Sequence, residues 1–190
     1  MRLNKSAFTL LEMIVSISII TLITALFIAN YRSANKRTDL IMTAQNLVAD
    51  IHLAQNNTLG LVKYNNAVPG GGWGIAFDTE KNYYTMFADA DAPGTSGYMG
   101  MDEATEANPN YGARITYLPE GIEISGLTTA GGIENSAVNV TFLPPDPRTN
   151  IYRVAAVATS SSLEIRLREE RNNSFKTVRV NFLGLVEVLD

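Results

Sequence analysis

The chain has no cysteine, so it holds no disulfide framework, no thiolate metal site and no cysteine nucleophile. It has one histidine, His52, which excludes a multi-histidine zinc cage and most histidine-centred relays. It has no excess of bases: 15 lysines and arginines stand against 19 acids, for a net charge of -4. A strongly basic nucleic-acid binder is not the default reading of that balance. Residues 70–72 are a glycine run, but no Gly-Lys-Ser/Thr follows, so they are not a phosphate loop. The serines at 160–162 have no histidine near them in sequence, which speaks against a serine hydrolase. Two absences are local. No proline or glycine occurs in residues 8–59, and no charged residue occurs in residues 13–31. The 14 glycines and seven prolines all lie beyond that stretch, where they imply turns and not a coiled coil. The mean hydropathy of +0.02 therefore averages a greasy piece with a polar one. At 190 residues the chain is long enough for one real core plus an appendage.

The greasy piece comes first. As a helix, residues 8–29 span roughly 33 Å at ~1.5 Å per residue. A bilayer core is about 30 Å thick, so the segment is long enough to cross it. Arg2 and Lys5 precede it; Arg32, Lys36 and Arg37 follow it. The apolar run is too long for a secretory signal peptide, and no small-x-small cleavage pattern follows it. Glu12 stands inside the apolar segment. A carboxylate at mid-membrane costs about 2.5–3.5 kcal/mol and less near the interface, so its presence asks for a role.

The residues around Glu12 read Lys5-Ser6-Ala7-Phe8-Thr9-Leu10-Leu11-Glu12-Met13. This string resembles the class III signal of type IV prepilins and type II secretion pseudopilins. In that family a short basic leader ends in a small residue, a phenylalanine follows, and a glutamate stands four residues beyond it. The resemblance implies cleavage by prepilin peptidase between Ala7 and Phe8, followed by N-methylation of the new Phe8 amine. Ala7 stands where the family usually has glycine. The resemblance further implies that Glu12 is an assembly contact. The Phe8 amine, with a reference pKa of about 8, is mostly protonated at neutral pH. Pairing it with Glu12 of a neighbouring subunit would remove two uncompensated buried charges and set axial register.

Beyond the membrane the helical pattern continues. Leu40, Ala44, Leu47, Ile51 and Ala54 recur at helical spacing with polar residues between them, an amphipathic stripe suited to lie on a sheet. Gly60 is the first breaker. His52 reads as a surface or packing residue on this helix. The expected organisation is a leader at 1–7, a membrane or filament-core half-helix at 8–31, an amphipathic half-helix at 32–60 and a β-rich head at 61–190.

The head alternates short strands with turns. Strands are expected at 73–78, 82–88, 114–118, 121–124, 138–143, 151–157, 162–168, 175–182 and 185–189. Trp73 reads as core. The Trp73-Gly74 strand, the hairpin into an aromatic strand, Phe142-Leu143-Pro144-Pro145 and the closing Val178-Arg179-Val180-Asn181-Phe182-Leu183-Gly184 resemble the minor pseudopilin H (GspH) and FimT-like minor pilins. That resemblance implies an α+β, pilin-like fold with one long helix packed on antiparallel β sheets.

Two charged regions invite a ligand. Asp89, Asp91, Asp102 and Glu103 lie in a glycine-rich stretch, and flexible loop oxygens are what calcium needs. Their spacing does not match an EF-hand, so the competing reading is a solvated acidic loop. Arg166, Arg168, Arg171, Lys176 and Arg179 are interleaved with Glu164, Glu169 and Glu170. A mixed solvated hairpin and a DNA-binding patch are the two readings of that cluster. No constellation supports an enzyme, and no cofactor is implied. The resemblance implies a structural subunit, a minor one, of a type IV pilus or type II secretion pseudopilus. Its implied partners are other pilin subunits, prepilin peptidase/N-methyltransferase, an inner-membrane assembly platform and membrane lipid. Its implied site is the inner membrane with the head outside the cytoplasm, then the filament. The alternative is a membrane-anchored, exported β-rich binding module that never polymerises.

Overall fold

The computed structural model describes residues 9–90, 114–143, 148–156 and 158–189, without the side chains of 29–35. One helix, α1 (Leu10–Leu59), runs unbroken for 50 residues. It begins where Thr9, in extended conformation, accepts a hydrogen bond from the Glu12 backbone N–H. It ends in a Schellman motif, with Leu61 N–H donating to the Thr58 carbonyl and Val62 N–H to the Asn57 carbonyl. Gly60 is not the left-handed residue of that motif, as a breaker would be; its φ is -76°. Leu61 takes the left-handed position instead, at φ +48°.

Eleven strands follow among the described residues: β1 (Gly72–Asp78), β2 (Tyr83–Asp89), β3 (Arg114–Tyr117), β4 (Ile122–Thr129), β5 (Ile133–Asn135), β6 (Ala137–Leu143), β7 (Arg148–Arg153), β8 (Ala158–Ser160), β9 (Ser162–Glu169), β10 (Ser174–Asn181) and β11 (Val186–Leu189). They form two antiparallel sheets, ordered β3-β2-β1-β6-β7-β8 and β11-β10-β9-β4-β5. The α+β architecture expected from the sequence is the one observed.

The differences lie at short elements and at β7, which covers 148–153 where 151–157 is expected, with 154–156 in a turn. β5 and β8, three residues each, were not expected. β4 runs on to Thr129 because a bulge between Ile124 and Gly126 restores its pairing with β9. The turn at 119–121 crosses from one sheet to the other. Leu118 N–H is held by the Asn82 carbonyl of the first sheet, and Ile122 opens the second.

Burial explains why the helix stays on the sheets. Leu40, Ala44, Leu47, Ile51 and Ala54 are fully buried, as their spacing predicts. They meet Ile75, Phe142, Leu163, Ile165, Val178 and Val180 in one core. Each buried leucine or isoleucine of the stripe contributes about 1.5–3 kcal/mol. Trp73 is in that core, and its indole N–H donates to the Val62 carbonyl at 3.1 Å. Within β1, Gly74 pairs with Phe87 on one side and Thr141 on the other. A Cβ there would stand 2.6 Å from the Val140 carbonyl oxygen and 2.9 Å from the Phe87 ring, so this position requires glycine.

Candidate functional site

The functional segment is the part of α1 that the fold does not cover. Leu10–Ile28 is 19 residues long, has a mean hydropathy of 2.4 and is entirely unburied. At ~1.5 Å per residue it spans about 28 Å, close to the ~30 Å of a hydrocarbon core. Soluble monomers rarely leave so large an apolar surface open. The hydroxyls within it are already satisfied. Ser16, Ser18, Thr21 and Thr24 donate their hydroxyls to the carbonyls of Glu12, Ile14, Ile17 and Ile20, at 2.7–2.8 Å. In lipid, where water cannot serve them, internal partners remove the main cost of four hydroxyls.

Glu12 sits in the first turn, and its side chain is engaged there. Its Oε2 accepts from the Thr9 backbone N–H at 3.5 Å, while Thr9 Oγ1 accepts from the Glu12 N–H at 3.2 Å. This reciprocal capping box satisfies two of the amides a helix start leaves open. A carboxylate at that end also meets the positive end of the helix dipole. The Thr-x-x-Glu spacing ahead of an apolar run is a sequence signal for such a box, and the sequence reading passed over it.

Further up, polar contacts lock α1 to the head. Asp50 is the main one. It receives the Tyr84 hydroxyl at 2.9 Å and the Thr116 hydroxyl at 3.3 Å, and it pairs with the Arg114 guanidinium. Burial, with the Asp50 charge and hydrogen bond behind it, pushes the Tyr84 hydroxyl well above the ordinary tyrosine range. Thr58 donates to the Phe142 carbonyl and accepts from the Trp73 N–H, both at 3.0 Å. Gln55 reaches the Gly184 carbonyl at 2.6 Å. No pattern in the sequence singled out Asp50, because its partners lie 34, 64 and 66 residues away.

The remaining candidates fall as follows. Ala7 and Phe8 lie outside the described residues, as do Asp91, Asp102 and Glu103. Asp89 does not belong to a loop. It is the last residue of β2, fully buried, and its carbonyl accepts the Gly71 N–H at 2.9 Å. Its carboxyl group packs over Gly71, where a Cβ would stand only 2.1 Å from Asp89 Cγ. The pairing of Gly72 with Asp89 extends the strand one residue past the predicted end. Among the described residues no three histidine, aspartate or glutamate side chains gather as a metal cage.

The basic cluster is divided by the fold. Arg168 bonds Glu123 at 2.6–2.8 Å. Arg179 lies between Glu164 and Glu187, at 3.4 and 3.6 Å. These cross-strand pairs match the mixed, solvated hairpin. Arg166 lies on β9 opposite Thr177, Lys176 on β10 opposite Leu167, and Arg171 in the turn between the two strands. His52 is exposed on α1 and hydrogen-bonds Gln55 at 2.8 Å.

A family model described as the prokaryotic N-terminal methylation motif matches residues 2–28. Neither the curated proteins nor the solved structures contain a match to the chain. The motif and the apolar helix together support a type IV pilin-like subunit processed by prepilin peptidase and assembled with other pilins. They point to a structural role.

Proposed function

We propose that the chain is made as a prepilin, anchored through Leu10–Ile28 in the inner membrane, with its β-rich head outside the cytoplasm. Prepilin peptidase cuts between Ala7 and Phe8, and the Phe8 amine is methylated. The product enters a type IV pilus or type II secretion pseudopilus as a minor subunit, with Glu12 as its assembly contact. The observation that carries this reading is the conjunction at the N-terminus. The methylation motif covers an apolar span that none of the described residues buries.

The capping box fits the same reading. A cut before Phe8 leaves Thr9 and Glu12 in place, so the mature helix keeps its cap. The Glu12 carboxylate then stands four residues from the new amine, with a second oxygen beyond the one that meets Thr9. The leader takes Arg2 and Lys5 with it, leaving 13 bases against 19 acids.

Mass spectrometry of the membrane-extracted protein tests this directly. The expected N-terminus is methylated Phe8; an intact Met1 would return the chain to an anchored module that does not polymerise. Glu12→Ala is expected to abolish incorporation into filaments while leaving cleavage intact. Unchanged incorporation would remove Glu12 from assembly.

A further inference from the structure

We infer that the lower rim of the head is a docking surface for an anionic phospholipid bilayer, the same bilayer that Leu10–Ile28 crosses. The inference rests on that span and holds whether or not the chain polymerises.

The rim is built from two turns that the fold sets against α1 just above the span. Lys36 Nζ donates to the Glu120 carbonyl at 2.7 Å, which brings the turn at 119–121 to the helix. Glu170 N–H donates to the Gly121 carbonyl at 3.0 Å, which joins the β9–β10 turn to the first. That second turn is held in shape from within. Glu169 is fully buried and accepts the N–H groups of Arg171 and Asn172, at 2.9 and 2.8 Å. Arg171 is left exposed at its tip. On the other side of α1, Arg37 and Ile41 share a cleft with Phe175 and Lys176. Phe175 is itself 45% exposed.

The height of this rim follows from helix geometry. Lys36 and Arg37 lie eight and nine residues beyond Ile28, about 12–14 Å along an unbroken helix. Headgroups occupy roughly 5–8 Å beyond each face of the hydrocarbon core. The bases therefore stand within a Debye length, about 8 Å at physiological ionic strength, of the headgroup surface. The rim carries Lys36, Arg37, Arg171 and Lys176, and Arg32 precedes them in sequence. Its acids are Asp39, Glu120, Glu170 and the buried Glu169, so the excess of base comes from the helix strip. From residue 29 to 38 the chain has three bases and no acid. The basic strip at 29–38, with exposed Arg171 and Phe175 beside it, is tethered at that height and fits an anionic lipid surface.

The test uses the full chain reconstituted in vesicles of phosphatidylcholine, alone or mixed with phosphatidylglycerol. The protein lacks cysteine, so Asn172→Cys gives one labelling position on the rim. Quenching of a dye there by a headgroup-borne spin label should be at least twofold stronger in the mixed vesicles. Molar salt should reverse the difference. Arg37→Gln with Arg171→Gln should remove it, and Arg37→Lys with Arg171→Lys should keep it. Equal quenching in both vesicles would overturn the inference while leaving the span intact. Release of the chain by alkaline carbonate would overturn the span, and the docking with it.

Discussion

At the residue scale, local geometry decides more than residue type does. Leu61 occupies a left-handed position that glycine adopts freely, and leucine bears a cost of about 1–2 kcal/mol there. Its side chain is half exposed, so little packing offsets that cost. Leu61→Gly is expected to raise stability by about 1 kcal/mol, read from the urea midpoint of the detergent-solubilised chain. Gly74→Ala should act the other way and lower stability by about 1–3 kcal/mol, because the added methyl meets backbone and an aromatic ring. Tyr84 gives a pH prediction. Its folded pKa lies above its unfolded value of about 10, so the folded state holds the proton more tightly. Its contribution is complete below pH 10 and declines as pH rises beyond it. Tyr84→Phe should flatten that alkaline decline and cost about 1 kcal/mol at neutral pH. None of these three positions could be valued from sequence. Gly60 looked like the helix terminator because glycine is the usual left-handed residue, yet the motif falls one residue later.

At the element scale, the long periodic segments were legible and the short ones were not. The stripe from Leu40 to Ala54 announced its buried face, since five small or apolar residues at helical spacing have no other use. β9 and β10 were found because hydrophobic alternation extends over eight residues in β9 and marks the core side of β10. β5 and β8 have three residues each, too few to show a period. The strand boundary at Asp89 was misplaced because polarity was taken as a sign of a loop; pairing with Gly72 overrides it. The Asp50 cluster is tertiary and left no periodic trace at all. It fastens α1 to β2 and β3 at once, so Asp50→Ala should cost about 2–3 kcal/mol and release the β3 edge first. Hydrogen exchange at Thr116 and Tyr117 is the measurement. Faster exchange there than in β9 is the expected pattern, and uniform loss across both sheets would contradict it.

At the scale of the whole molecule, the chain divides along its helix. One end has a packed core between two sheets, and the other has a 19-residue span that none of the described residues covers. A sequence alone shows that division, because charge is absent from 13–31 and glycine and proline from 8–59. It does not show how the uncovered end handles its own polar atoms. Each of the four hydroxyls on the span doubles up on a carbonyl that already receives an amide proton. Such back-bonding weakens the local ladder and lets a helix bend. If the span bends, these positions are where it would do so most readily, despite its lack of glycine and proline. From Ser16 to Thr24 four hydroxyls lie along about two turns, and each could exchange its own carbonyl for one on an adjacent helix. An adjacent helix packed against that stretch would meet hydroxyls that can bond across to it without leaving any backbone amide unpaired.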